Sequence, residues 1–84
     1  MEESRKKVLV VDDEHDLSEI LKFNLETEGY EVDTAYSAEE ALNLELKSYS
    51  LLLLDVMMGG MSGFALAKKL KSEPSTASIP IIFL

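Results

Sequence analysis

The sequence predicts an α/β fold, a doubly wound parallel sheet with helices on both faces, and three observations carry that prediction. Val8–Val11 and Leu51–Leu54 are apolar at every position, the habit of strands buried on both sides of a parallel sheet. Other segments place their apolar residues at helical spacing. Glycine, proline and serine clusters punctuate the chain, so the elements alternate as βαβαβαβ, and right-handed crossovers then require parallel strands.

The first strand, Val8–Val11, stops at Asp12-Asp13-Glu14. Leu17, Ile20, Leu21 and Leu25 define the first helix. Glu14, Asp16 and Glu19 lie towards its positive end, and Gly29 fits as its C-cap. Tyr30–Tyr36 alternates polar and apolar through Glu31-Val32-Asp33-Thr34-Ala35, a strand with one wetter face at a sheet edge. Ser37-Ala38-Glu39-Glu40 is a capping box, and Ala38, Ala41, Leu42 and Leu46 follow on one helical face. Leu51–Leu54 is the third strand; its shortness and the alternation of elements outweigh the helix propensity of leucine. Gly59-Gly60 and Gly63 make a flexible loop. Phe64–Lys71 is a short helix with Ala67, Leu70 and Phe64 or Leu66 facing inward. Ser72–Ser78 is a loop, and Ile79–Leu84 begins a fourth strand with Pro80 at its start, where a missing N–H does least harm.

Eighty-four residues make one domain at most, and a chain of this size buries only roughly 60–65% of its unfolded surface. The composition, 46% hydrophobic and 29% charged, is that of a globular chain. A net charge of −8 argues against nucleic-acid binding by this segment, which needs clustered Lys and Arg, and suits a cation. The absence of Cys excludes disulfides and thiolate metal sites. The charged start Met1–Lys7 leads into an apolar run too short for a signal peptide or a membrane span, so a cytoplasmic protein is expected. Ending on a bare hydrophobic strand, the chain is expected to be the first two-thirds of a domain, and its uncovered apolar surface to favour a dimer or a swapped assembly.

Two apolar strands end in acids: the first in Asp12-Asp13, the third in Asp55. Ligands of open parallel sheets bind at the carboxyl ends of the strands, where strand order reverses. If strands one and three are neighbours, the three carboxylates converge there. Like charges that close repel by roughly 4 kcal/mol per pair at an effective dielectric near 20, so either one takes up a proton or a divalent cation binds. Oxygen-only ligands suit Mg²⁺, with a carboxylate left as a nucleophile for phosphoryl transfer. The plainer reading is that acids after strands are turn residues and caps, with Asp13 capping the first helix.

The pattern Val10-Val11-Asp12-Asp13-Glu14, followed by Asp55-Val56-Met57-Met58-Gly59-Gly60-Met61-Ser62-Gly63-Phe64, resembles the receiver domain of two-component response regulators over the whole chain. The resemblance implies a flavodoxin-like sheet of order 2-1-3-4-5, of which 1–84 is the N-terminal two-thirds, without the end of strand four, helix four, strand five and helix five. It implies that Asp55 is the phosphoacceptor and that Asp13, Asp55 and the backbone carbonyl of Met57 ligate Mg²⁺, with Asp12 acting mainly through a bound water. The donor would be a phosphohistidine on a sensor histidine kinase, with no turnover enzyme involved. Any output domain, such as one that regulates transcription, would follow Leu84. The competing readings are a Mg²⁺-dependent phosphatase or transferase with an aspartyl-phosphate intermediate, and a degenerate receiver acting only as an interaction module.

Gly59 departs from the family, which usually has Pro there, and implies a looser loop. The family's Ser or Thr after strand four, its aromatic switch and its Lys on strand five have no counterpart in these residues, which implies a poor phosphoacceptor by themselves. Lys68, Lys69 and Lys71 are expected to be a solvated basic face and not substitutes. His15 is expected to be exposed, Met57, Met58 and Met61 to fill loop and core, and Tyr30, Tyr36 and Tyr49 to cover core edges with their hydroxyls in water.

Overall fold

The computed structural model describes residues 5–84; the first four residues of the charged start lie outside the described residues. Strands β1 (Lys7–Val11), β2 (Glu31–Ala35), β3 (Leu51–Leu54) and β4 (Ile81–Phe83) alternate with helices α1 (His15–Thr27), α2 (Ala38–Leu42) and α3 (Gly63–Lys71). All pairings are parallel and the sheet order is β2-β1-β3-β4. The chain thus steps outward from β1 to β2, returns past it to β3, and continues to β4, which makes β1/β3 the point where strand order reverses. This is the expected flavodoxin-like order, 2-1-3-4, through the fourth strand.

The two apolar runs serve both faces. Leu9, Val11, Leu52 and Leu54 join Ala35, Ala38, Ala41, Leu66 and Leu70 in the core beneath α2 and α3. Val8, Val10, Val32 and Leu53 face the other way, against Leu21 and Leu25 of α1. Alternation of side chains along a strand therefore distributes consecutive leucines and valines to separate cores, so no polar residue interrupts either run.

The helix ends follow the capping signals. Ser37 Oγ accepts the Glu40 N–H at 2.9 Å, and the Glu40 carboxylate accepts the Tyr36 N–H at 2.6 Å. After α1, Gly29 adopts φ +101°; its N–H donates to Glu26 O and the Tyr30 N–H to Leu25 O, the paired bonds of a Schellman motif.

Several expectations are corrected. The inward face of α1 is Ser18, Leu21 and Leu25, whereas Ile20 is 58% and Phe23 70% exposed and Leu17 is exposed too. The sheet covers a stripe narrower than the apolar residues of the helix, and the buried Ser18 donates its hydroxyl to the Asp12 carbonyl. α2 ends at Leu42, and a 3-10 turn, Leu46–Ser48, carries Leu46 back into the core. Of the candidates on α3, Leu66 and Leu70 are buried and Phe64 is exposed, edge-on to Phe83 at 4.8 Å between ring centroids. Tyr49 is buried and its hydroxyl donates to Asp33 Oδ2 at 2.6 Å instead of reaching water. Lys71 is no free surface lysine: its ammonium donates to the carbonyls of Ala77 and Ile79, both at 2.9 Å, and so ties down the loop before β4.

Candidate functional site

The register of β1 and β3 builds the site. Val8–Val11 pair with Leu51–Leu54 in order, so Val11 and Leu54 end their strands side by side and the residue after each is an aspartate. The Asp55 N–H donates to Val11 O at 2.8 Å and the Asp12 N–H to Ala35 O at 3.0 Å, which fixes both backbones at the last rung of the ladder. One carboxylate oxygen from each of Asp12, Asp13 and Asp55 lies within 4.8 Å of the others. The three sequence-predicted acids thus meet at one rim of the sheet, where β1 and β3 adjoin.

Their environments differ. Asp12 is 2% exposed, Asp55 is half-buried and Asp13 is exposed. The Asp12 carboxylate accepts the Glu14 N–H at 2.8 Å, and the Asp12 carbonyl accepts the Ser18 hydroxyl at 3.3 Å. Burial raises the Asp12 carboxyl above the ordinary aspartate value; the Glu14 N–H opposes this, and the charges of Asp55 and Asp13 add to it. The expected cap of α1 by Asp13 is not formed. Glu14 occupies the N-cap position without a side-chain hydrogen bond, and its own N–H donates to the Asp12 carboxylate.

The loop from Asp55 to α3 is shaped by two glycines. Gly60 turns at φ +76° against the Glu39 carboxylate. At Gly63, a Cβ would lie on the Asp55 carbonyl oxygen and 2.9 Å from its carbon, so only glycine lets α3 start this close to β3. The Gly63 N–H donates to Val56 O at 3.0 Å, and Ser62 caps α3 by accepting the Ala65 N–H at 3.1 Å. Met58 and Met61 pack on the core, but Met57 is 82% exposed and fills nothing. Among the described residues, the Met57 carbonyl carries no hydrogen bond.

His15 stands outside the acid group; it is exposed and stacks on Tyr36 with ring centroids 3.7 Å apart. Three residues at the site escape a reading of the sequence: Ser18, Glu39 and the close approach of Gly63. A glycine straight after a serine at a helix start was the one available signal, and it belongs to Gly63.

An oxygen-only set of three carboxylates, one of them buried with a raised affinity for a proton, fits a hard divalent cation. No helix is long and apolar enough to cross a membrane among the described residues.

Comparison with known proteins gives the same picture. The family described as Response regulator receiver domain matches residues 8–84. The phosphate regulon transcriptional regulatory protein PhoB of Rhizobium meliloti is 46% identical over 79 residues, covering 93% of this chain and 35% of that protein. The chain thus spans about a third of the length of this curated relative. The N-terminal domain of a response regulator receiver protein from Methanoculleus marisnigri JR1 superposes with a TM-score of 0.88 at 37% identity, covering 95% of this chain and 66% of that one. The response regulator TrrA of Thermotoga maritima, solved in complex with Mg(2+)-BeF, gives 0.77 at 34% identity, covering 94% and 86%.

Proposed function

Because this chain belongs to the response regulator receiver family, we propose that it takes a phosphoryl group onto Asp55 from a phosphohistidine of a sensor histidine kinase. In this reading Asp12, Asp13, Asp55 and the Met57 carbonyl hold Mg²⁺, with Asp12 acting mainly through a bound water. The observation that carries the reading is the convergence of three carboxylates, from the ends of two adjacent strands, within 4.8 Å.

Bound Mg²⁺ would neutralise the carboxylates and draw charge from the phosphoryl oxygens. The chain's own part is positioning. The Asp55 N–H on Val11 O holds the nucleophile at the sheet rim. A carboxylate oxygen of Asp55 forms a bond to phosphorus as the P–N bond to the donor imidazole breaks. Gly59, where an added Cβ would meet nothing within 4 Å, would leave an open approach for that imidazole. The half-buried state of Asp55 suits a group that must be reached by a partner yet shielded from bulk water. The chain would act as an acceptor and not as a turnover enzyme. The name of the PhoB relative, a transcriptional regulatory protein, supports a role in controlling transcription.

The test is mass spectrometry of the intact protein after incubation with acetyl phosphate and Mg²⁺. A gain of one phosphoryl, lost in Asp55→Asn and without Mg²⁺, is expected. No gain in the wild type extended beyond Leu84 overturns the reading in favour of an interaction module, and sustained turnover of small phosphate esters overturns it in favour of a phosphatase.

A further inference from the structure

Glu39 leaves its own helix to reach the loop that follows Asp55. It stands in the first turn of α2, where its neighbour Glu40 is accounted for by the capping box. Glu39 has no such local task. Its Oε2 accepts the Met61 N–H at 3.2 Å, 22 residues along the chain. The same carboxylate fills the inside of the bend at Gly60, where a Cβ would stand 3.0 Å from Oε2 and 3.4 Å from Oε1.

The loop needs such a hold. Its ends are pinned by backbone bonds, Asp55 N–H to Val11 O and Gly63 N–H to Val56 O. Between them Gly59 is surrounded by open space, and no proline stiffens the turn. Among the described residues, the Glu39 bond is the single hydrogen bond that residues 57–61 make with another element. Met58 and Met61 pack on the core but set no hydrogen-bonded register.

We propose that Glu39 is a positioning residue: its carboxylate clamps the Gly60-Met61 bend, holds the Met57 carbonyl at the acid cluster, and so ties α2 to the cation site. The inference rests on the reading that this loop supplies a ligand. A carboxylate accepting a backbone N–H is a charge-assisted bond, strong in geometry though modest in water. Its loss would free the loop to sample positions that leave the site one ligand short.

The experiment compares wild type, Glu39→Ala and Glu39→Gln in the intact protein, by amide hydrogen exchange at Met61 and by calorimetric Mg²⁺ titration. Glu39→Gln keeps an acceptor oxygen and loses the charge. Expected are faster Met61 exchange and a Mg²⁺ dissociation constant raised about two- to tenfold in Glu39→Ala, with Glu39→Gln close to wild type in both. An unchanged Mg²⁺ affinity in Glu39→Ala overturns the positioning role, even if exchange quickens. Equal changes in the two variants overturn it as well, because they would report charge and not the clamp. If wild type takes up no Mg²⁺, the proposed function fails first and takes this inference with it. A failure of the clamp alone leaves wild-type binding intact.

Discussion

Asp12 and Asp55 are neighbours by register: Val11 pairs with Leu54, and the next residue of each strand is the aspartate. The pairing also makes them unequal, since Asp12 lies under the start of α1 and is buried while Asp55 opens to the rim. Two carboxylates with oxygens no more than 4.8 Å apart repel by about 3 kcal/mol or more at an effective dielectric near 20. A site of this kind fits a cation that would offset the repulsion.

Stability should therefore depend on pH and Mg²⁺ together. The Asp12 carboxyl titrates above its ordinary value of 3.8, first because it is buried. A folded-state value above the unfolded one contributes stability below the unfolded value and loses it as pH rises through the folded one. Without metal, this contribution is present in acid and gone at neutral pH. Asp12→Asn, uncharged throughout, should exceed wild type by about 1–3 kcal/mol in neutral metal-free buffer and match it more closely near the acid end. Mg²⁺ at a hundredfold excess over its dissociation constant should stabilise wild type by about 2.7 kcal/mol and Asp12→Asn by much less. Thermal unfolding over a pH series checks both. A wild type more stable than Asp12→Asn in neutral chelator would refute the electrostatic account.

The two glycines that flank the bend should respond in opposite ways to alanine. At Gly63 the added Cβ meets the backbone of Asp55 and Val56, which no side-chain rotation can relieve. Gly63→Ala should cost about 2–4 kcal/mol and displace Asp55. At Gly59 nothing lies within 4 Å and φ is not in the left-handed region. Gly59→Ala should be neutral or stabilise by about 0.4–1 kcal/mol through the unfolded chain. Urea unfolding of the pair decides this, and equal losses at both positions would contradict it.

What the sequence disclosed follows from how locally each feature is determined. Val8–Val11 and Leu51–Leu54 were legible as strands because burial on both faces leaves an unbroken apolar run. The meeting of Asp12, Asp13 and Asp55 was legible because parallel strands deliver their carboxyl ends to one rim. The face of α1 was not, because Leu17, Ile20, Leu21 and Leu25 form a stripe wider than the sheet can cover, and only packing selects Leu21 and Leu25 from it and adds the polar Ser18. Tyr49 and Lys71 were misread for a different reason. Their partners, Asp33 and the carbonyls of Ala77 and Ile79, are set by tertiary structure or by the course of a loop, and no residue pattern announces them. Glu39 carried a capping-box signal that belonged to Glu40, which hid its contact with Met61.

The Tyr49–Asp33 bond should have its own pH signature. Burial, then the hydrogen bond to Asp33, raises the Tyr49 hydroxyl well above its ordinary value of 10.0. A raised value contributes stability that is complete below the unfolded value and is lost as pH climbs through the folded one. Tyr49→Phe should cost about 0.5–1.5 kcal/mol at pH 8, and its deficit relative to wild type should shrink as pH rises beyond 10. Paired denaturation curves at pH 8 and in the alkaline range test this. A deficit that stays constant or grows would show that the hydroxyl is not held as described.

Lys71 offers the sharpest contrast between surface appearance and role. Its residue is exposed, yet the ammonium closes on two carbonyls of the segment that leads into β4, and Thr76 braces the same segment by donating to Leu70 O at 2.7 Å. Lys71→Met keeps most of the aliphatic stem and removes both donors, while water can still reach the freed carbonyls. The loss should be modest, about 1 kcal/mol, and local, appearing as faster amide exchange at Ile79 and in β4, with β1 and β3 unaffected. Lys68→Met, on the same helix and without such partners among the described residues, should leave the β4 amides unchanged. If Lys71→Met and Lys68→Met behave alike, Lys71 is a solvated lysine after all, and the loop before β4 must be held by Thr76 and the burial of Ile79 alone.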